Sequence, residues 1–163
     1  MKRSSGILLP ISSLPSPYGI GAFGRAAYDF ADFLHAAGQS YWQLLPLGPT
    51  SCGDSPYQSF STFAGNPYFI DLDLLVEDGL LTKQEVTDCA WGAEPRYVDY
   101  GRLYEGRFPL LARAKARGWA RDRAAVAACE AENSRWLPDY ALFMALTEKF
   151  NAPWYNWSDE YKK

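Results

Sequence analysis

Apolar positions in the first half of the chain come in short blocks separated by glycine, proline and serine. Gly6 to Pro10 (GILLP) is an apolar run bounded by Ser and Pro, which predicts a short buried strand. From Arg25 to Ala37 the side chains of Ala26, Phe30, Phe33, Leu34 and Ala37 recur at close to helical spacing, and Gly38 stands where a C-cap glycine belongs. This segment predicts an amphipathic helix. Tyr41 to Leu47 (YWQLLPL) predicts the next strand. Strand, helix and strand within about 45 residues form the βαβ unit of a parallel sheet, so the expected class is α/β.

Beyond a long loop the period changes. Tyr68 to Leu72 (YFIDL) predicts a short extended segment, followed by a brief helix capped by Asp73 and ending at Gly79. Thr82 to Glu85 (TKQE) fits a capping box, in which the Thr hydroxyl and the Glu carboxylate satisfy each other's backbone N–H groups. Leu110 to Glu132 is rich in Ala and Arg with weak periodicity, which predicts an exposed helix interrupted at Gly118. Tyr140, Phe143, Met144, Thr147 and Phe150 form a clearer stripe on a helix that Pro138 and Asp139 can start. The second half is therefore expected to be mainly helical, with no internal repeat and no low-complexity linker. Trp154, Trp157 and Tyr161 run straight into Lys162 and Lys163 without a capping glycine, a pattern expected of a cut inside a larger protein.

Composition narrows the function. The 163 residues are 48% apolar and 21% charged, which suits a globular chain with one ordinary core. Sixteen Lys and Arg against nineteen Asp and Glu leave no basic excess for a nucleic-acid partner. No apolar run approaches the ~20 residues that cross a bilayer, and Gly6 to Leu9 is too short for a secretory signal core. No membrane association and a cytoplasmic location are expected. Cys52, Cys89 and Cys129 are widely spaced and form no metal-binding pattern, so they are expected to be reduced thiols, with no metal site. The lone histidine, His35, suits the end of the first helix and carries no expected catalytic role.

Charge is also unevenly placed. Only Lys2, Arg3, Arg25, Asp29, Asp32 and Asp54 are charged between Met1 and Ile70, whereas the remaining 93 residues carry the other 29 charges. Within the uncharged half, Gly53 to Tyr68 (GDSPYQSFSTFAGNPY) interleaves four aromatic rings with Ser, Thr, Gln and Asn around one carboxylate. A pyranose needs that mixture, because its C–H face stacks on a ring while its hydroxyls both donate and accept. Asp54 can accept from two hydroxyls or cap the following turn, and Pro56 would make Tyr57 project in one direction. Tyr57 is the candidate ligand contact, whereas Phe60, Phe63, Tyr68 and Phe69 are expected in the core of the loop.

Four blocks then carry a resemblance: GILLPISSLPSPYGIGAFG, YWQLLPLGPTSCGDSPYQSFSTFAGNPYFIDL, VDYGRLYEGR and YALFMAL. In this order they resemble the N-terminal part of 4-α-glucanotransferase, also called amylomaltase or disproportionating enzyme. The resemblance implies a (β/α)₈ barrel with inserted subdomains. A complete barrel takes about 250 residues, so residues 1–75 would be its first strands, first helix and substrate loop, and 76–163 a truncated, mainly helical insertion. It also implies transfer of an α-1,4-glucan segment to the 4-hydroxyl of an acceptor, with retention and without a cofactor. Retention calls for two carboxyl groups about 5 Å apart. The family places these, and a third assisting carboxylate, on later strands, so no catalytic residue is expected here; Asp29, Asp32, Asp71 and Asp73 are not evident acid/base partners.

What the resemblance carries over is binding. Tyr57 matches a tyrosine lining the site near the scissile bond, Ser55 a serine close to the acceptor subsites, and Asp54 a position that holds the loop's shape. Tyr104 matches one of two tyrosines of a second, remote glucan site. The other falls at Cys52, whose thiol offers no stacking face. The partners expected are α-1,4-glucans such as maltooligosaccharides. A stand-alone carbohydrate-binding module using the same loop is the alternative.

Overall fold

The computed structural model describes residues 3–50, 54–92, 94 and 96–162. Backbone contacts divide the chain into two compact units, one up to Trp119 and one from Ala120.

In the first unit, strands β1 (Gly6–Leu8) and β2 (Tyr41–Gln43) pair in parallel, with Gly6 opposite Tyr41 and Leu8 opposite Gln43. Helix α1 (Arg25–Ala36) makes the crossover, and Gly38 ends it at φ +67°, a left-handed conformation that glycine adopts without Cβ strain. The expected βαβ unit is therefore present. Its apolar stripe packs with the strands: Ala27 joins Ile11 and Leu14 in a buried cluster flanked by Phe30, Trp42, Leu44 and Leu47, and the Phe30 and Trp42 rings meet edge-on at 4.9 Å.

Two details differ from expectation. β1 is not buried, since Ile7 and Leu8 remain exposed. A strand needs neighbours on both faces to be covered, and the described sheet has two strands. β2 stops at Gln43 instead of running to Leu47, because Leu44 and Leu47 turn into the α1 cluster and Pro46 has no N–H to extend a ladder.

Residues 67–71 also depart from the extended reading. Pro67–Phe69 is a 3₁₀ turn, fixed by the proline and by the Asn66 side chain, which accepts from the Tyr68 N–H at 2.9 Å. Helix α2 (Leu72–Glu77) is capped by Asp71, which accepts from the Leu74 N–H at 3.0 Å, not by Asp73. The Asp73 carboxylate instead accepts from the Tyr18 hydroxyl at 2.6 Å and from Lys83 Nζ at 2.7 Å. Helix α3 (Lys83–Thr87) begins with both halves of the Thr82/Glu85 capping box formed, as expected. Glu85 also takes a two-pronged hydrogen bond from Arg117 at 2.7 and 2.8 Å.

Arg117 belongs to α4 (Tyr100–Glu132), which begins at Tyr100 rather than Leu110 and runs without a break through Pro109 and Gly118. Its buried side is Leu103, Arg107, Leu110, Ala114 and Gly118, a stripe at steps of three and four. Burial of that stripe overrides the helix-breaking tendency of the proline and glycine. Leu110 and Ala114 join Tyr18, Leu72, Leu81 and Val86 in the core, while Leu103 packs with Ile20 and Tyr68.

In the second unit, α5 (Leu137–Phe150) starts with proline in its first turn and ends at Asn151 with φ +45°. Phe143 and Phe150 pack on Trp157 at 5.5 and 5.8 Å, and Trp157 donates its indole N–H to the Ala152 carbonyl at 2.8 Å. Among the described residues no helix is long and apolar enough to cross a membrane.

Candidate functional site

The loop that follows β2 is shaped by short-range polar contacts. Asp54 sits at φ +54°, a left-handed conformation that Asp tolerates better than most side chains, at a cost of about 1 kcal/mol. It opens a turn in which the Gln58 N–H donates to the Ser55 carbonyl at 3.1 Å and the Tyr57 N–H donates to Ser55 Oγ at 3.3 Å. Ser55, rather than Asp54, is thus the side chain that closes the turn. Thr50 and Ser59 pair across the loop as an isolated antiparallel bridge, and Ser59 Oγ donates to the Ser61 carbonyl at 2.7 Å. The result is a tight loop that presents Tyr57 outward, with 72% of its surface exposed.

Asp54 faces inward. It lines a small cavity of about 30 Å³ with Thr50, Pro56, Asn66 and Tyr100, room for about one water molecule and not for a sugar. Burial pushes the Tyr68 phenol up to about 12, and the nearby Asp54 carboxylate adds to the shift. Burial, followed by the same carboxylate, raises Tyr100. Both phenols therefore stay neutral at ordinary pH.

Tyr104 lies on the exposed side of α4, 62% accessible. Its ring meets Phe108 edge-on at 5.2 Å; Tyr68 in turn meets Phe108 at 5.6 Å and Tyr100 at 5.9 Å. Asp54 and Tyr104 therefore border one aromatic group centred on Tyr68. The sequence reading found Tyr104 but missed Tyr100 and Phe108, although their spacing of four on either side of it places all three on one helical face. It also missed Arg107, which is 1% exposed and donates from Nη2 to the Ile70 carbonyl. Burial lowers the Arg107 guanidinium to about 10, against the opposing pull of Asp71. This residue ties α4 to the end of the loop segment.

The core assignments of the loop aromatics divide. Tyr68 is buried and Phe69 half-buried, as expected, but Phe60 and Phe63 are exposed. A loop closed by its own backbone and serine hydroxyls has too little interior to hold four rings. Cys89 and Cys129 are free thiols, and burial raises Cys89; Cys52 and the question of its stacking lie outside the described residues. His35 occupies the last turn of α1.

Comparison with known proteins agrees along the whole chain. The family model for 4-alpha-glucanotransferase, glycoside hydrolase family 77, matches residues 9–163. A 4-alpha-glucanotransferase from Clostridium butyricum is 50% identical over 153 residues, covering 93% of this chain and 31% of that protein. Those from Streptococcus pneumoniae serotype 4 and Thermus thermophilus are 51% and 48% identical, covering 97% and 96% of this chain and 32% and 31% of the relatives. The solved amylomaltase from Streptococcus agalactiae in complex with acarbose superposes with a TM-score of 0.90 at 45% identity, covering 97% of this chain and 32% of that one. The chain thus spans about a third of the length of the relatives it matches. With a family match from residue 9 to 163 and relatives near half identity, the chain belongs to the 4-alpha-glucanotransferase family.

Proposed function

We propose that this chain is the glucan-binding first third of a 4-α-glucanotransferase. In this reading residues 1–75 are the start of a (β/α)₈ barrel with its substrate loop, and residues 76–163 are a mainly helical insertion. The observation that carries it is the unbroken family match over 9–163 against a third of each relative's length. The longer enzyme moves an α-1,4-glucan segment to the 4-hydroxyl of an acceptor by a retaining double displacement. One carboxylate attacks the anomeric carbon and a second acts as acid, then base. Those groups belong to the part of the fold beyond this chain, which alone is inactive.

Within that scheme Tyr57 offers an exposed ring for the C–H face of a sugar near the scissile bond, and Ser55 stands beside it toward the acceptor side. Asp54 shapes the loop through its left-handed backbone and lines the small cavity behind it. Tyr104 belongs to a second glucan site on α4. Maltooligosaccharides are the partners and the cytoplasm the place of action; a relative solved with acarbose bound supports a carbohydrate-like ligand. The test is incubation of the 163-residue chain with maltotriose. No glucose is expected; glucose release would place catalytic groups inside the chain and overturn the division of labour.

A further inference from the structure

Tyr57 is not among the residues that line a second, larger hollow of the first unit. The segment after β1 and the segment before α4 enclose about 550 Å³, within the range of about 300–1,000 Å³ typical of small-molecule sites. Its floor is backbone from the β1–α1 connection, held by the Leu14 N–H to the Ile11 carbonyl at 3.1 Å and the Gly21 N–H to the Ser12 carbonyl at 3.2 Å. Gly19, at φ +76°, lets this floor approach Trp91 so closely that a Cβ would stand 2.5 Å from the Trp91 carbonyl oxygen. The floor therefore needs little reorganisation to receive a ligand.

The walls are amphipathic. Trp91 is locked in place, its indole N–H donating to the Val86 carbonyl at 2.9 Å and its ring meeting Tyr18 at 6.0 Å. Tyr97, also lining the hollow, is 76% exposed. Between the rings stand Glu94 and Arg96, with Arg96 Nε donating to Glu94 Oε1 at 3.1 Å and Nη2 to Oε2 at 3.3 Å. Ser12 and Ser13 complete the polar side. The charges cancel, which disfavours a phosphate or other anion. Two rings, serine hydroxyls and a carboxylate–guanidinium pair instead suit a neutral ligand dense in hydroxyls, since vicinal hydroxyls donate to the carboxylate and accept from the guanidinium.

We infer that this hollow, bounded by Trp91, Tyr97, Glu94, Arg96 and the Ser12–Gly21 backbone, is a separate binding site for a short neutral oligosaccharide segment. It rests on the glucan reading for the identity of the sugar and on its own geometry for the site. It would hold a stretch of glucan at neither the Tyr57 loop nor the Tyr104 face of α4, adding a further grip on a long chain through effective concentration.

The test is calorimetric titration of the chain with maltoheptaose, comparing wild type, Tyr97→Ala, Tyr97→Phe and Tyr57→Ala. Because Tyr97 is exposed, its loss leaves the core intact. The expected result is about a tenfold weakening of one binding event in Tyr97→Ala, restored in Tyr97→Phe, with a distinct event lost in Tyr57→Ala. Backbone amide shifts of Gly19 and Gly21 in unmodified protein should move with maltoheptaose and stay still with inorganic phosphate. An isotherm indifferent to Tyr97→Ala, with silent Gly19 and Gly21 amides, would overturn this site while leaving the Tyr57 reading standing. Response to Tyr97→Ala but not to Tyr57→Ala would sustain this site and remove Tyr57 from the other. Absence of any binding would overturn both, and movement with phosphate alone would overturn the neutral-sugar assignment.

Discussion

Tyr57 owes its prominence to its neighbours. Ser55 Oγ takes the Tyr57 N–H and the proline between them restricts the backbone, so the ring is held outward at little entropic cost on binding. Replacing it with alanine should weaken maltoheptaose binding at this loop by about tenfold, without altering the unfolding temperature, because the ring buries almost nothing within the chain. A variant that binds as wild type would take Tyr57 out of the site. The serine-rich, nearly uncharged loop made this residue legible in the sequence. Tyr100 and Phe108 were not, because their partner Tyr68 lies more than thirty positions away and only the fold brings it near. Arg107 was equally hidden: a charged side chain reads as solvated until a packed helix face encloses it.

At the scale of elements, the junction of α3 and α4 hangs on Glu85. Hydrogen bonds from Arg117, then from the Thr82 N–H, hold this carboxyl down at about 2, below its ordinary 4.5. A carboxyl depressed in the folded state contributes stability that is complete above its unfolded value and is lost as pH falls toward the folded one. Thermal stability should therefore decline between about pH 4.5 and 2, and Glu85→Gln should flatten that decline. A slope unchanged in the variant would show that Glu85 is not the group responsible. Leu103, with no exposed surface, tests the other face of α4: Leu103→Ala should cost about 2–5 kcal/mol in chemical denaturation.

The same elements show what local sequence can convey. The Thr82/Glu85 box and the Arg25-to-Gly38 helix were legible because their determinants lie within one or two turns. The 3₁₀ turn at Pro67–Phe69 was misread as extended because its apolar run resembles a strand, and the outcome depends on Asn66 and Pro67 just before it. α4 was cut short at Pro109 and divided at Gly118, two residues that weaken an isolated helix but not one whose stripe is buried.

At the scale of the molecule, the chain holds a βαβ unit, a serine- and aromatic-rich loop and helices, and it spans about a third of its family relatives. In the proposed reading, the exposed β1 and the apolar surface on Tyr28, Phe33 and Tyr41 would face the further strands and helices of a larger α/β enzyme. In the proposed reading this chain supplies a glucan-binding third to a transferase whose carboxylates lie elsewhere. The most direct measurement of this is glucose release from maltotriose by a chimera in which these residues replace the matching third of the Streptococcus pneumoniae relative. Transfer activity is expected in the chimera, reduced about tenfold or more by Tyr57→Ala. A folded chimera with no activity, or one whose rate ignores Tyr57→Ala, would contradict that reading.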